Sequence, residues 1–250
     1  MLATVQPTAS VIHGDALVVI AALPAASVDC IVADPPYGEI TRLWDKPLLG
    51  WTQQASRVLK PSGSLWLFCS ARSLLNLAPE MTGWEFVQDV IWEKHNGSGL
   101  HNDRFRRVHE HVVQWRLASS KWASVFKSPP TVAAPDLRPT RRHKRPPSHW
   151  RHQPHAEPHF VSPDGGKRLK RSVLKVRSMH GRATHPTEKP EELIEHLLLY
   201  SCPPGGMVLD PFAGSGATGA TAARLGMKFI GIELDAEYHA LASNRVNGSI

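Results

Sequence analysis

Short apolar runs alternate along the chain with segments of helical periodicity, which is the pattern of a parallel sheet covered by helices on both faces. Strands are predicted at residues 10–13, 28–33, 64–69, 207–209 and 228–232. Helices are predicted at residues 48–59, 190–200 and 216–225 and from residue 236, with a break at residues 60–63. The pattern therefore predicts an α/β fold of the Rossmann-like, doubly wound type.

Two further segments, residues 85–92 and 108–115, are rich in β-branched and aromatic residues. Such composition favours strands, and a loop at residues 95–107 joins the two segments. They are predicted to pair as antiparallel neighbours at one edge of the sheet.

The charge of the chain is concentrated in one region. Thirteen Lys and Arg side chains and only two acidic ones lie between Arg138 and Arg182, whereas the whole chain carries a net charge of +7. Residues 118–182 also contain many prolines and show no sustained helical period, with a hairpin expected at residues 164–166. A basic insertion of this kind suits a polyanion because each phosphate contact releases a counterion, although a solvated or disordered loop has the same composition.

These features divide the chain into residues 1–117, a basic insertion at 118–182 and residues 183–250. Nine basic residues of the insertion are predicted to bind a polyanion: Arg141, Arg142, Lys144, Arg145, Arg151, Lys167, Arg168, Lys170 and Arg171.

The cysteines and the N-terminal region indicate the cellular compartment of the protein. Cys30, Cys69 and Cys202 have no paired spacing, which predicts a reducing compartment and no cysteine-ligated zinc. Residues 16–26 are apolar, but His13 and Asp15 precede them where an export signal needs basic residues. A cytoplasmic protein without a membrane span is expected.

A glycine-rich turn follows the predicted strand at residues 207–209, in the sequence Asp-Pro-Phe-Ala-Gly-Ser-Gly of residues 210–216. Glycines let the backbone approach a ligand at the start of a helix. Glu233 ends the next strand, where a carboxylate can accept both ribose hydroxyls of a nucleoside. The turn alone would suit a dinucleotide-dependent oxidoreductase equally well.

The sequence Asp34-Pro35-Pro36-Tyr37 follows the buried strand at residues 28–33. The exocyclic amine of a nucleic-acid base is a poor nucleophile because its lone pair is delocalised into the ring. The Asp34 carboxylate and the Pro35 carbonyl can accept its two hydrogens, and Tyr37 can stack on a base that has left the duplex. The alternative is a simple turn after a strand, which the position of the motif makes less attractive.

These motifs stand in a definite order along the chain. The segments that matter are residues 14–17, 27–29, 34–37, 59–64, 109–110 and 185–190, followed by the glycine turn at 210–216. In this order the sequence strongly resembles the β class of DNA amino-methyltransferases over nearly its whole length.

The resemblance implies S-adenosylmethionine as cofactor and double-stranded DNA as partner, with a homodimer as a further implication. It makes residues 1–117 the catalytic half, residues 118–182 the target-recognition insertion with its nine DNA-binding basic residues, and residues 183–250 the cofactor-binding half. The implied catalytic residues are Asp34, Pro35, Pro36 and Tyr37. The implied cofactor-binding residues are Asp15, Ala16, Thr187, Lys189, Asp210, Phe212, Ala213, Gly214, Gly216, Thr218 and Glu233. No metal is expected. Ala217 departs from the family pattern, where threonine is common, but Thr218 remains.

Asp34 as the first residue of its motif favours N6 of adenine over N4 of cytosine. N4-cytosine methylation, RNA methylation and a non-catalytic DNA-binding protein remain alternatives. The chain ends soon after its last predicted helix, so target recognition is expected from the insertion, the loop at 95–107 or a second subunit. Which DNA sequence is recognised, and whether a restriction enzyme accompanies the protein, stay open.

Three other features of the chain each have more than one interpretation. The histidines at 143, 149, 152, 155 and 159 are expected to be loop residues more than zinc ligands. Trp122 and Trp150 border the basic region and are candidates for contact with an extruded base or with the site that the base vacates. His109 with Glu110 suits either acid-base chemistry or a structural hydrogen bond.

Overall fold

The computed structural model describes residues 9–36, 38, 48–98, 102–133, 167–179, 181 and 187–248. Its strands are β1 (Ala9–His13), β2 (Val28–Ala33), β3 (Leu59–Cys69), β4 (Trp84–Ser98), β5 (Arg107–Leu117), β6 (Thr131–Ala133), β7 (Lys167–Leu169), β8 (Val173–Lys175), β9 (Met207–Asp210) and β10 (Lys228–Glu233). Its α-helices are α1 (Ala16–Ala22), α2 (Trp51–Val58), α3 (Ala71–Leu77), α4 (Glu191–Ser201), α5 (Ala217–Arg224) and α6 (Ala236–Val246). Among these helices, none combines the length and the apolar character needed to cross a membrane.

The main sheet has the order β1-β10-β9-β2-β3-β5-β4-β8. The first five strands in this order are parallel, β5 is antiparallel to both β3 and β4, and β8 is parallel to β4. This confirms the predicted Rossmann-like fold with an antiparallel pair towards one edge. The outermost strand is nevertheless β8, which the sequence pattern had assigned to the insertion.

Two apolar layers enclose the sheet. The helices α4, α5 and α6 pack on one face, against Cys30 and Val32 of β2, and α1 and α2 pack on the other, against Ile31 and Ala33. Every residue of β2 is buried, as expected for a central strand of a parallel sheet.

The helix ends before residues 60–63, as predicted, but these residues do not separate it from the next strand, because they belong to β3 itself. Val28 pairs with Leu59 but Cys30 pairs with Ser64, so β3 accommodates the extra residues as an irregularity of the ladder. Pro61 cannot donate to such a ladder, and Gly63 lies so close to β2 that a Cβ atom would come within 2.7 Å of the Asp29 carbonyl oxygen. The salt bridge between Lys60 Nζ and Asp29, at 2.8 Å, holds the same segment.

The described residues of 1–128 and 172–250 form one compact unit, and those of 129–171 form a second. In the second unit β6 and β7 pair antiparallel, with Val132 opposite Arg168. The Lys170 N–H extends this ladder by donating to the Pro130 carbonyl at 2.8 Å. This unit is narrower than the insertion expected at 118–182, and the hairpin expected at 164–166 lies outside the described residues.

Candidate active site

The Asp34 motif and the glycine turn lie side by side at one edge of the sheet. β2 and β9 are parallel neighbours, paired through Cys30 with Val208 and Ile31 with Leu209. Asp34 follows the end of β2 and Asp210 is the last residue of β9. Ligands of open α/β sheets bind at this carboxyl edge, so both predicted motifs can face one ligand site.

Asp34 is partly buried and lies within a cluster of charged side chains. The ammonium group of Lys189 donates a hydrogen bond to Asp34 Oδ2 and lies 3.9 Å from Glu110 Oε2. The other oxygen of Glu110, Oε1, accepts a hydrogen bond from Lys94. Two carboxylates and two ammonium groups therefore alternate at the edge of the sheet.

Burial and charge act in opposite directions on this cluster. Burial by itself would lower the pKa of Lys189, but Asp34 and Glu110 outweigh it and leave that pKa above its ordinary value. Burial would raise the pKa of Glu110, yet Lys189 and Lys94 hold that pKa below its ordinary value. Both groups are therefore charged at neutral pH.

Lys189 had been predicted to border the cofactor pocket, and its closest contacts are instead with the carboxylate predicted to be catalytic. Its neighbour Thr187 contributes a backbone carbonyl, which accepts from Lys189 Nζ at 3.0 Å. Pro35 is buried beside Asp34, and Pro36 is partly buried. Tyr37 lies outside the described residues.

The glycine turn is held against the end of β10. The Gly214 N–H donates to Glu233 Oε2 at 2.8 Å, and the Asp235 N–H donates to Glu233 Oε1 at 2.8 Å. The Ala213 N–H donates to the Ile232 carbonyl at 2.9 Å. Glu233 is only partly buried, so its fixed carboxylate keeps acceptor capacity for a ligand.

Gly216 makes a close turn possible at the start of α5. Its φ is +79°, a left-handed conformation, and a Cβ atom there would lie 2.9 Å from the Ala242 backbone of α6. Glycine is therefore required both for the backbone conformation and for the contact between the two helices.

Asp210 is buried beneath the turn. Its carboxylate accepts from the Phe212 N–H at 3.0 Å and from the Thr218 hydroxyl. Burial, only partly offset by these hydrogen bonds and reinforced by Asp34 and Glu233, raises the pKa of Asp210 to about 7. A cationic group bound here would favour the ionised carboxylate.

The first turn of α1 lies beside the same edge. The Gly14 N–H donates to the Glu233 carbonyl at 2.9 Å, which brings Asp15 and the buried Ala16 close to the end of β10. One carboxylate oxygen of Asp15 caps the helix by accepting from the Leu17 N–H at 2.8 Å. Asp15 therefore has a structural task besides the predicted contact with a cofactor.

Sequence reasoning did not identify the residue of α6 that holds the glycine turn in place. Arg245 of α6 forms salt bridges with Glu188 at 3.0 Å and with Glu191 at 2.7 Å. Its guanidinium also donates to Ser215 Oγ at 3.2 Å. No motif marks Arg245, because its partners Ser215, Glu188 and Glu191 are 30, 57 and 54 residues away along the chain.

The predicted DNA-binding residues are only partly described. Arg141, Arg142, Lys144, Arg145 and Arg151 lie outside the described residues, as does the side chain of Lys167. In the second unit Arg168 and Arg171 are exposed and Lys170 is partly exposed. Within the described residues, no three His, Cys, Asp or Glu side chains are arranged to hold a metal ion.

The prediction for Trp122 is wrong. Trp122 follows the end of β5, and β5 runs antiparallel to β3, so this tryptophan lies near the edge opposite Asp34. Its ring packs against the Lys127 ammonium at 4.4 Å from the ring centroid, and it cannot meet a base held at Asp34. Trp150 lies outside the described residues.

A different aromatic residue is exposed at the edge where Asp34 lies. Phe105 precedes β5, is fully exposed to solvent and stands between Arg104 and Arg106. The Arg106 side chain lies across Gly97, where a Cβ atom would come within 2.4 Å of its Nε. The end of β4 and the start of β5 thus present an aromatic ring flanked by positive charge.

Comparison with known proteins identifies the family. The DNA methylase family that comprises N6 and N4 methyltransferases matches residues 28–244. The chain belongs to this family. Among its relatives, type II methyltransferase M2.DpnII of Streptococcus pneumoniae is 28% identical over 94% of this chain and 88% of its own length. Type II methyltransferase M2.LlaDCHI of Lactococcus lactis subsp. cremoris is also 28% identical, over 97% and 90%.

Solved structures of methyltransferases share the fold. The M1.HpyAVI-SAM complex matches with a TM-score of 0.64 and 25% identity, covering 95% of this chain and 99% of that chain. PvuII DNA methyltransferase, described as cytosine-N4-specific, has the same TM-score of 0.64 at 16% identity, covering 96% and 88%, and shows the fold alone. The protein is thus a DNA amino-methyltransferase with the edge between β2 and β9 as its candidate active site.

Proposed function

We propose that the protein transfers a methyl group from S-adenosylmethionine to N6 of adenine in a specific sequence of duplex DNA. One observation carries the proposal: Asp34 and the glycine turn at residues 212–216 end neighbouring parallel strands, so an amine acceptor and a nucleoside site meet at one edge. The glycine turn matches the chemistry of the cofactor, and Asp34 matches the chemistry of the target amine.

The residues around the turn fit S-adenosylmethionine. Glu233 offers an oriented carboxylate to a ribose diol, and the buried Asp210 offers a carboxylate to the ammonium group of the methionine part. Backbone groups of Phe212, Ala213 and Gly214 line the turn, while Asp15 lies close to the end of β10. When bound, the cofactor supplies an electrophilic methyl group on a sulfonium sulfur.

At Asp34 the protein would act on the target amine by hydrogen bonding. Asp34 and the Pro35 carbonyl accept the two amine hydrogens, which draws the nitrogen towards a tetrahedral shape and frees its lone pair. Pro36 has no backbone N–H to donate, and it restricts Pro35 to extended conformations. The Pro35 carbonyl is therefore not drawn into a helix. Alignment of the freed lone pair with the methyl group is then the main requirement, and we assign stacking on the base to Tyr37.

Adenine is favoured by the carboxylate at position 34. An amino group of adenine and one of cytosine present the same two hydrogens, so the carboxylate alone does not exclude cytosine. In the β class an aspartate at this place is more typical of adenine enzymes, and this resemblance supports the assignment.

The base must leave the duplex to reach a site at the sheet edge, and two basic regions of the chain support binding of DNA. One is the second unit with Arg168, Lys170 and Arg171, which we assign to target recognition. The other is the turn before β5, where Phe105 stands between arginines. An exposed aromatic side chain flanked by positive charge suits insertion between bases or into the space that a flipped base vacates.

The deciding experiment incubates the purified protein with methyl-labelled S-adenosylmethionine and unmodified duplex DNA, followed by digestion to nucleosides. Label in N6-methyl-2′-deoxyadenosine is expected. Label only in N4-methyl-2′-deoxycytidine would overturn the base assignment, and preferential transfer to RNA would overturn the assignment to DNA. Gel filtration tests the homodimer that the resemblance implies.

A further inference from the structure

The ammonium group of Lys189 is hydrogen-bonded to an Asp34 oxygen that the proposed reaction uses as an acceptor. It donates to Asp34 Oδ2, one of the acceptors for the target amine. An ammonium group is a stronger donor than a neutral aromatic amine, so this ion pair weakens the attraction of Asp34 for the substrate. A Lys189 ammonium group that moved to another acceptor would leave both oxygens of Asp34 to the amine.

Glu110 offers such an acceptor. Its Oε2 atom is buried and has no hydrogen-bond partner among the residues that the structure describes, while Oε1 is already bound by Lys94. The distance from Lys189 Nζ to Glu110 Oε2 is 3.9 Å, close enough for attraction but too long for a hydrogen bond. A movement of about 1 Å by the flexible lysine side chain would close this gap.

The alternation of side chains along β5 places Glu110 on the same face of the sheet as Lys189. Side chains alternate between the faces of a strand, so Glu110 lies on the same face as Val112, which packs with Phe68 in the layer under α4. Lys189 Nζ lies 5.3 Å from the centre of the Phe68 ring, on that same face. His109 and His111 lie on the opposite face, where their rings are in contact.

The charges of the cluster balance only while Lys189 stays in it. Asp34 and Glu110 are matched by Lys189 and Lys94, and Lys189 is only 8% exposed. The target amine is neutral, so a lysine that left the site would uncover a buried negative charge, which is costly. Movement from one carboxylate to the other keeps the ammonium group paired throughout.

We propose that Glu110 is a positioning residue that takes over the Lys189 ammonium group when the target amine binds to Asp34. The inference rests on the proposed function, since it concerns the same amine. Glu110 acts through Lys189 and does not touch the substrate. It also gives a role to a residue whose sequence context left acid-base chemistry and structural hydrogen bonding equally open.

The test is a double-mutant cycle on the full chain with Glu110→Gln and Lys189→Met, measured as methyl transfer to duplex DNA. Glu110→Gln is expected to lower kcat at least about tenfold, with the KM for the cofactor changed less than about twofold. In the Lys189→Met background the same change is expected to cost less than about twofold, because Glu110 then has no ammonium group to receive. Glu110→Asp, which keeps the charge, should recover part of the loss.

Glu85→Gln is the matched control. Glu85 forms a salt bridge with Arg116 across the same two strands, β4 and β5, at their other end, and it is half exposed. Its kcat should equal that of the unmodified protein. Should Glu110→Gln fail to fold, as judged by circular dichroism, the cycle is run with Glu110→Asp, for which the same dependence on Lys189 is expected.

If the losses of kcat in the two single variants simply multiply in the double variant, the proposal is overturned. Full activity of Glu110→Gln would overturn it as well. If the unmodified protein transfers no methyl group to any DNA, the proposed function itself fails. An active unmodified protein with an equally active Glu110→Gln variant removes only the role of Glu110.

Discussion

Asp210 should make the stability of the cofactor-free protein fall as the pH rises towards 7. The carboxyl group is 5% exposed, and burial is the main cause that raises its pKa from the ordinary 3.8 to about 7. The folded protein therefore binds this proton more tightly than the unfolded chain. Its contribution to stability is greatest below pH 4 and is lost between pH 4 and pH 7.

The magnitude follows from the same two values. At about 1.4 kcal/mol for each pH unit, the rise from 3.8 to about 7 is worth up to roughly 4 kcal/mol, of which about 2 kcal/mol falls between pH 5 and pH 7, because the carboxyl group is still half protonated at pH 7. The variant Asp210→Asn keeps the size of the side chain and an acceptor for the Phe212 N–H, but it carries no charge at any pH. Its stability should thus gain about 2 kcal/mol relative to the unmodified protein between pH 5 and pH 7.

Urea unfolding of both proteins at pH 5, 6, 7 and 8 without cofactor measures this difference. Other titrating groups, such as histidines, are common to the two proteins and cancel in the comparison. Asp235→Asn is the control, since Asp235 is exposed and its substitution removes no buried charge. Parallel pH profiles for the unmodified protein and Asp210→Asn would refute the reasoning.

Three further outcomes are expected. Asp34→Ala should lower turnover on duplex DNA at least about 100-fold while DNA binding in a gel-shift assay changes little, and unchanged turnover would contradict the role of Asp34. Phe105→Ala should lower methylation of fully paired duplex DNA several-fold more than that of single-stranded DNA, whereas Phe86→Ala, at the other end of β4, should not alter this ratio. Gly216→Ala should lower the unfolding free energy by about 1–3 kcal/mol in chemical denaturation, because its Cβ meets the Ala242 backbone. Gly226→Ala, with similar φ but nothing within 4 Å, is the control, and an equal loss would show that the contact is unimportant.

Much of the fold could be read from local patterns. The predicted strand at 28–33 matches β2, and the predicted helix at 190–200 is displaced by one residue from α4. Such elements are recognisable because apolar periodicity and turn residues are properties of adjacent positions. Helix α3 was missed, since it is only seven residues long and begins with a serine cap that the sequence does not distinguish from other serines.

The limits of sequence reasoning appear where distant segments meet. The chain order shows that residues 34–37 and 210–216 each follow a strand, and the rule for parallel sheets then places both at one edge. Nothing local predicts that Lys189 pairs with Asp34, 155 residues away, or that Glu110 faces the same ammonium group. The position of Trp122 was misjudged for a related reason, because the direction of β5 decides which edge its end reaches.

The sequence by itself determined most of the strands and helices of the main sheet, the two motifs and their chemical types, since these depend on residues that are neighbours along the chain. Only the tertiary structure decided which charges share a site, which carboxylates are buried and how Arg245 braces the glycine turn. The physical reason is that burial and electrostatic interaction depend on distance in space. Strand order and strand direction set those distances, and they are established only when the sheet is assembled.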